Sequence, residues 1–574
     1  MVRSLIRRSA TVGAVLSALV LLHVSCLRLP YFWDEAGYYI PAALDFSRSW
    51  LLIPESTLPT GHTPLLMIYL GLLWRVFGFS PLVTRVAMVL VAAGTVVATY
   101  SLARRVTRRE PAAWSAALLA ISPMFFAQSS LVYLDLAAGL FTVLAVLALL
   151  GRRMAIFALA ASLAVLTKET AVVLLPVAWV WAWWQGSGGA THFGVRRLGA
   201  AFPEPEQALA EKAEAELPHS TGPEQAPALC WIAMFFPLVP LAAWTLYYHH
   251  RTGYWTGNTE YLQYNLFSTL GPGRIFWSLM RRLYEVFVGG FNWLMVLGAG
   301  VGIWWQHSRK AGHRGTETRR FDKGKPEESE TQSKQTGSRV EWKAKSLRDF
   351  IFLAIGLGAA CILMLSVVGG AILPRYLLPI FPLFFVTAVV LIWRLPKTAA
   401  RTVCGVAAGC FVAASFINPP YPFPYEDNLS YADFIRLHQS AARFLENQPG
   451  EPRILTAWPA SDELKRPFLG YVREPMSVVR IEGFTPDDFR RVAPDSFELL
   501  YLYSRKWEPP DNLLKRFPAF LAIHKRYFDY APQADEADLK RRFGLTLLQQ
   551  FERRGQWVRI YERQATREAG RETK

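Results

Sequence analysis

Residues 31–46 read YFWDEAGYYIPAALDF and set two carboxylates, Asp34 and Glu35, among aromatic side chains directly after the first apolar run of the chain. Aromatic rings gather at the two faces of a bilayer, whereas an ionisable side chain in the hydrocarbon costs about 2.5–3.5 kcal/mol on insertion scales. The stretch therefore reads as the edge of a membrane protein, with its acids paired or facing a wet cavity. Composition agrees. The 574 residues are 52% hydrophobic and include 20 Trp, and the mean hydropathy is +0.18. That is too apolar for an ordinary soluble protein and too long for one domain, and it describes a polytopic membrane protein. The net charge of +17 does not indicate nucleic acid, because the Lys and Arg cluster at the ends of apolar segments, where they orient helices in a bilayer. The five cysteines lie in or beside apolar segments without CxxC spacing, so neither a disulfide framework nor a thiolate metal site is implied.

Apolar segments predict spans near 9–28, 81–103, 112–128, 131–150, 154–168, 170–184, 229–249, 286–305, 350–371, 376–393 and 401–417, about eleven in all. The first is read as a retained helix, because its apolar part is long and no small-residue cleavage site follows. Arg3, Arg7 and Arg8, RRVTRRE at 104, GRR at 151, the basic loop 306–349 and RLPKTAAR at 394 then fall on one face, which the positive-inside rule makes cytoplasmic. Loops 185–228 and 306–349 are polar and of low complexity, read as disordered and without chemistry. The apolar stretch 63–79 would reverse the topology if it spanned, and is expected to lie at the interface or to re-enter the membrane within an outer loop, 29–80.

Beyond residue 417 the runs are too short to span and charges are frequent. The segment 418–574 is expected to form an extracytoplasmic α/β domain. A helix opens it at YADFIRLHQSAARFLENQP, with Phe434, Leu437, Ala441 and Leu445 on one stripe, and strands follow at RILTAWP, MSVVRIEGF, FELLYLYS and WVRIYER.

With these sides assigned, Asp34, Glu35, His62, Asp135, Lys168, Glu169 and Arg375 converge on the outer face from separate parts of the chain. Each has a structural alternative. Asp34 and Asp135 suit helix capping; His62 suits a loop; Lys168 and Glu169 suit pairing with one another or snorkelling; Arg375 suits interfacial anchoring, although the positive-inside bias disfavours Arg on that face. No single motif is specific.

Their order along the chain carries more information. WDEAGYYIPAALDF, GHTPLLMIYLGLLWRVFG, TRVAMVL, SSLVYLDLAAGLF, LTKETAVVLLP and PRYLLPIFP resemble the membrane core of GT-C type glycosyltransferases. The branch is that of dolichyl-phosphate-mannose protein mannosyltransferases and bacterial aminoarabinose lipid A transferases. The resemblance covers residues 5–185 and, more loosely, 350–395; where aminoarabinose transferases carry a Glu-Lys pair, this chain has Gly61, His62, Thr63 and Pro64. It implies an α-helical membrane core, 1–417, that moves a sugar from a polyprenyl-phosphate donor to an envelope acceptor (lipid, glycan or protein) with inversion. It places Asp34 as the general base and Glu35 as the residue that positions the acceptor or holds Asp34. Lys168, Arg375 and His62 would bind the donor phosphate, and Asp135 and Glu169 would orient the cations or ligate a divalent metal, a requirement left open; no nucleotide or organic cofactor is expected. The implied location is a bacterial inner membrane. The competing reading is a secondary transporter or flippase. Against it, the chain lacks matched broken helices in two halves, and its charges favour one face over the midplane.

Overall fold

The computed structural model describes residues 13–187, 232–314 and 330–564 apart from 510 and 529. Arg3, Arg7, Arg8 and most of the loop 185–228 lie outside the described residues. The membrane core comprises α1 (Gly13–Leu22), α2 (Ile40–Ser49), α3 (Leu65–Phe77), α4 (Pro81–Val106), α5 (Arg109–Ile121), α6 (Pro123–Gln128), α7 (Leu134–Leu150), α8 (Met154–Thr167) and α9 (Leu174–Ser187). It continues with α10 (Leu238–Thr252), α11 (Pro272–Phe287), α12 (Asn292–Arg314), α13 (Glu330–Val367), α14 (Phe381–Ile392) and α15 (Lys397–Ala414). Five stretches among the described residues are long and apolar enough to cross a bilayer: Pro81–Val106, Ile232–Thr252, Pro272–Arg309, Ser346–Val367 and Pro374–Ile392. Shorter apolar helices, α1, α3, α7 and α8 among them, accompany these.

Two expectations are refined. The 13 residues of α3 rise about 20 Å, short of a hydrocarbon layer of about 30 Å, which suits an interfacial or re-entrant element. The stretch 306–349, read as a disordered loop, is instead helical on both flanks: α12 continues to Arg314 and α13 begins at Glu330. Lys, Glu, Gln and Arg are strong helix formers, so a polar composition that removes a burial signal does not remove helical propensity. Residues 315–329 of that stretch are not described.

Beyond the core, α16 (Ser430–Glu446) buries Phe434, Leu437, Ala441 and Leu445, the stripe expected from spacing. Beside it lies a five-stranded sheet of order β2-β1-β3-β5-β4. Its strands are β1 (Ile454–Ala457), β2 (Val478–Ile481), β3 (Leu499–Tyr503), β4 (Leu545–Arg553) and β5 (Gln556–Arg563). β1 pairs in parallel with β2 and β3, whereas β3–β5 and β4–β5 are antiparallel. β1, β2, β3 and β5 occupy the four strand-like runs; β4 was not foreseen. Its burial is slight along most of its length, because it is an edge strand held by its hairpin to β5. The turn is Arg554-Gly555, both at positive φ, the backbone twist a two-residue hairpin demands.

The sheet unit packs directly on the segment after α1. The Leu469 carbonyl accepts from the Tyr31 N–H, and Tyr471 Oη donates to the Tyr31 carbonyl. Trp458 lies edge-on to Trp33 and so close to Gly37 that a Cβ there would stand 2.9 Å from the Trp458 indole nitrogen. Gly37 thus lets the helical turn after Asp34 seat against the sheet unit.

Candidate active site

The loop that carries Asp34 is held by its neighbour. Glu35 is fully buried and accepts from the backbone N–H of Phe32 (2.7 Å) and Val132 (2.5 Å). It also pairs with both terminal nitrogens of the equally buried Arg85. The same two nitrogens also donate to the carbonyls of Pro30 (2.7 Å) and Ser130 (2.8 Å), while Nε is buried without a hydrogen-bond partner. Further hydrogen bonds offset the cost of burying an ion pair, and here they tie 30–35 to 130–132 through α4. Glu35 therefore does not hold Asp34 by direct contact; it fixes the loop on which Asp34 stands. Arg85 was missed as a site-forming residue, although an Arg inside the apolar run TRVAMVL was a visible signal.

That fastening brings Asp34 near the start of α7. Arg375, in the 3-10 turn Pro374–Ile380, is 1% exposed and pairs with Asp34 and with Glu426. Its Nε stands 3.9 Å from Asp135, and its guanidinium lies over the Tyr133 ring at 3.8 Å. Lys168 donates to Asp135 at 2.5 Å and sits 4.2 Å from the Tyr376 ring centre. Asp34, Asp135, Lys168 and Arg375 thus form one cluster from four distant segments, buried except at Asp34, whose side chain is 21% exposed. Asp34 makes no side-chain capping bond, so its carboxylate serves Arg375 and not the helix that follows. The residue before it, Trp33, has φ 51°, a left-handed conformation that is costly for a bulky side chain and typical of functional sites.

His62 and Glu169 form a second pair beside this cluster, Nδ1 lying 3.0 and 3.1 Å from the two carboxylate oxygens. Lys168 and Glu169 therefore pair with different partners and not with each other. Gly61 has φ 76°, and a Cβ there would meet the Gly257 nitrogen at 2.2 Å; only glycine lets the chain present His62 in this place.

Glu426 had no place in the sequence reading. It lies in the connection between α15 and α16, 3% exposed, beside Asp427, one oxygen of which is buried without a hydrogen-bond partner. Burial holds the Glu426 carboxyl above the usual carboxylate range against the pull of Arg375. Burial, then the charges of Glu426 and Glu285, push Asp427 well above that range. Both line a cavity of about 1040 Å³ whose walls include Trp33, Trp277, Tyr284, Tyr421 and Phe520, with Arg505 and Lys506 among its polar groups. The site is therefore an ionic cluster at the side of a large, mainly apolar chamber. The acids do not fit a metal centre: among the described residues no three His, Cys, Asp or Glu side chains come together to hold an ion, and Asp34, Asp135, Glu169 and Glu426 each already face a basic partner.

Residues 61–194 match the family model described as dolichyl-phosphate-mannose-protein mannosyltransferase. Among solved structures, the chain is similar to ArnT from Cupriavidus metallidurans in the apo state, with 14% identity over 96% of this chain and 97% of that one and a TM-score of 0.50. The chain has the GT-C type fold. The same ArnT bound to undecaprenyl phosphate superimposes with 12% identity, 97% coverage of each chain and a TM-score of 0.49. Archaeal oligosaccharyltransferase AglB from Archaeoglobus fulgidus, in complex with an inhibitory peptide and a dolichol-phosphate, matches at 11% identity over 96% of this chain and 74% of that one, with a TM-score of 0.41. No curated protein sequence matches the chain. The family match begins at Gly61, so of the cluster it includes Asp135 and Lys168; Asp34, Arg375 and Glu426 lie outside it, and the GT-C core brings them in through tertiary structure.

Proposed function

We propose that this protein is a membrane glycosyltransferase that moves a sugar from a polyprenyl-phosphate carrier to an acceptor hydroxyl at the extracytoplasmic face of a bacterial inner membrane. The observation that carries the reading is the cluster of Asp34, Asp135, Lys168 and Arg375, joined through the Arg375–Glu426 pair to the apolar chamber that Glu426 lines. A lipid-borne sugar phosphate needs an apolar approach, cations for its phosphate and a carboxylate beside them, and this arrangement combines the three. The match to the mannosyltransferase family supports the choice of donor class.

In this reading Arg375 and Lys168 bind the donor phosphate, and Arg375 offers the planar fork that matches phosphate oxygens. Arg375 cannot grip both Asp34 and the phosphate with the same nitrogens, so donor binding releases Asp34. The freed carboxylate accepts the acceptor's proton as its oxygen attacks the anomeric carbon from the side opposite the phosphate. The carbon–oxygen bond to phosphate breaks, its electron pair leaves with the carrier phosphate, and the anomeric configuration inverts. Charge grows on the leaving phosphate in the transition state, where preorganised cations act most strongly. His62, held by Glu169, adds a hydrogen bond to the phosphate, and Asp135 aims Lys168. Glu35, with Arg85, keeps Asp34 in register.

Incubating the purified protein with radiolabelled polyprenyl-phosphate sugars and candidate acceptor lipids, glycans and peptides should release free carrier phosphate and label one acceptor class. The Asp34→Asn variant is the control. Release at equal rates from both proteins would refute the assignment.

A further inference from the structure

Between β3 and β4 the chain leaves the sheet for a long helical excursion, and part of it has an unusual surface. From Asn512 to Phe528 the sequence NLLKRFPAFLAIHKRYF contains no acidic residue. It forms the turn Leu513–Arg516 and α17 (Pro518–Tyr527). Phe517 is 53% and Phe520 50% exposed, and Lys515, Arg516, Lys525 and Arg526 are exposed around them. Some exposed arginines of the same unit pair with nearby acids, as in Arg490–Asp487, Arg541–Asp538 and Arg453–Glu498, and others, such as Arg443, Arg480 and Arg491, have no ion pair among the described residues. Arg516, Lys525 and Arg526 have no such ion pair among the described residues.

The excursion is fastened to the first residues of Pro272–Arg309, a stretch long and apolar enough to cross a bilayer. Arg274, near the start of α11, donates to the carbonyls of Tyr527 and Gly370, and a Cβ on Gly273 would stand 2.8 Å from the Tyr527 hydroxyl. α11 turns Arg274, Ser278, Arg282 and Glu285 inward and leaves Phe276, Met280, Tyr284 and Phe287 substantially exposed. Met280 and Tyr284 of that stripe line the chamber, Phe276 and Phe287 do not, and the kinked turn Gly289–Phe291 leads on to the apolar helix α12. α17 packs beside α11, so the exposed aromatics and cations of the excursion stand at the rim of the chamber, next to a stretch long and apolar enough to cross a bilayer.

We infer that the excursion 512–528 is a docking surface for an anionic bilayer, its aromatics at the acyl boundary and Lys515, Arg516, Lys525 and Arg526 on lipid phosphates. Basic and aromatic residues on an acid-free amphipathic element are the chemistry that binds such surfaces. Phe517 and Phe520 also line the chamber beside the ionic cluster, so the docked element forms the lipid-side lip of that chamber. The inference does not depend on the glycosyltransferase reading.

Hydrogen exchange of the full-length protein in nanodiscs tests it. The two membranes are phosphatidylcholine alone and phosphatidylcholine mixed with phosphatidylglycerol. With the anionic lipid, amides of 513–527 should exchange about tenfold more slowly. The protection should vanish near 1 M salt, where the Debye length is about 3 Å, and in the triple variant Arg516→Glu, Lys525→Glu, Arg526→Glu. Amides of β3 report whether that variant is folded, and if they exchange faster the wild-type salt series decides alone. Equal exchange in the two membranes overturns the inference, as does anionic-lipid protection that persists at high salt or in a folded triple variant.

Discussion

Replacing Glu426 by Gln separates two roles that the structure allows this residue, because the expected change in donor affinity has opposite signs. Arg375 is shared between Asp34 and Glu426. Counting the adjoining pair, three carboxylates (Asp34, Asp135, Glu426) face two cations (Arg375, Lys168), so the vacant cluster carries a net negative charge that opposes an incoming phosphate. A unit charge pair about 4 Å apart interacts by roughly 4 kcal/mol at an effective dielectric of about 20, and a hydrogen bond to a charged group nets about 1.5–3 kcal/mol. Gln keeps the shape and one acceptor oxygen but removes the charge. With part of the lost attraction offset by the remaining neutral bond, we expect about 1.4 kcal/mol in favour of phosphate, or about tenfold tighter binding. Titrating purified protein with a polyprenyl phosphate by calorimetry measures this. The pH dependence adds a second check. The Glu426 carboxyl is held above the usual range by burial, so acidification through that raised value protonates it and releases Arg375. Wild-type affinity should then rise toward that of the variant, which should change less over the same interval. Weaker binding in a folded Glu426→Gln protein would refute competition and make Glu426 the brace of Arg375.

Asp34→Asn should lower transfer by about 100-fold or more while donor binding persists, since the carboxamide cannot take the acceptor's proton; substantial remaining transfer would exclude Asp34 as the base. Glu35→Gln leaves buried Arg85 with an uncompensated charge and should destabilise the protein by about 3–5 kcal/mol, read as a large fall in thermal midpoint, whereas a normal midpoint would refute the fastening role. Asp427 has a folded-state carboxyl raised above its unfolded value, so its contribution to stability is fully present below about pH 4 and is lost as pH rises toward the raised value. Asp427→Asn should therefore flatten the pH dependence of thermal stability and raise stability at neutral pH; a steeper loss with rising pH would contradict the sign. For sidedness, cysteines introduced at the exposed positions Asp487 and Arg109 should be labelled from outside and inside intact cells respectively, and the reverse pattern would overturn the topology.

Local pattern carried much of the architecture. Apolar length and basic flanks marked α4 and the apolar parts of α13 and α14, and alternation marked β1, β2, β3 and β5, because burial of one face or one span writes a period into neighbouring residues. Signals failed where burial is slight or composition polar: β4 is mostly exposed, and the ends of α12 and α13 carry charges. The chemistry-bearing residues were legible as types in the wrong solvent, Asp34, Asp135, Lys168 and Arg375 each standing out against apolar surroundings. Their partners were not. Asp34 and Arg375 are 341 residues apart, Arg375 and Glu426 51, and Glu35 and Arg85 50. Sequence by itself determined that this is a helical membrane protein with stray charges at one edge and an α/β unit after residue 417. Only the tertiary structure decided that Glu35 fastens the loop, that Asp34 serves Arg375, and that Glu426 joins them, because an ion pair across such separations depends on how helices pack and leaves no periodic trace in the chain.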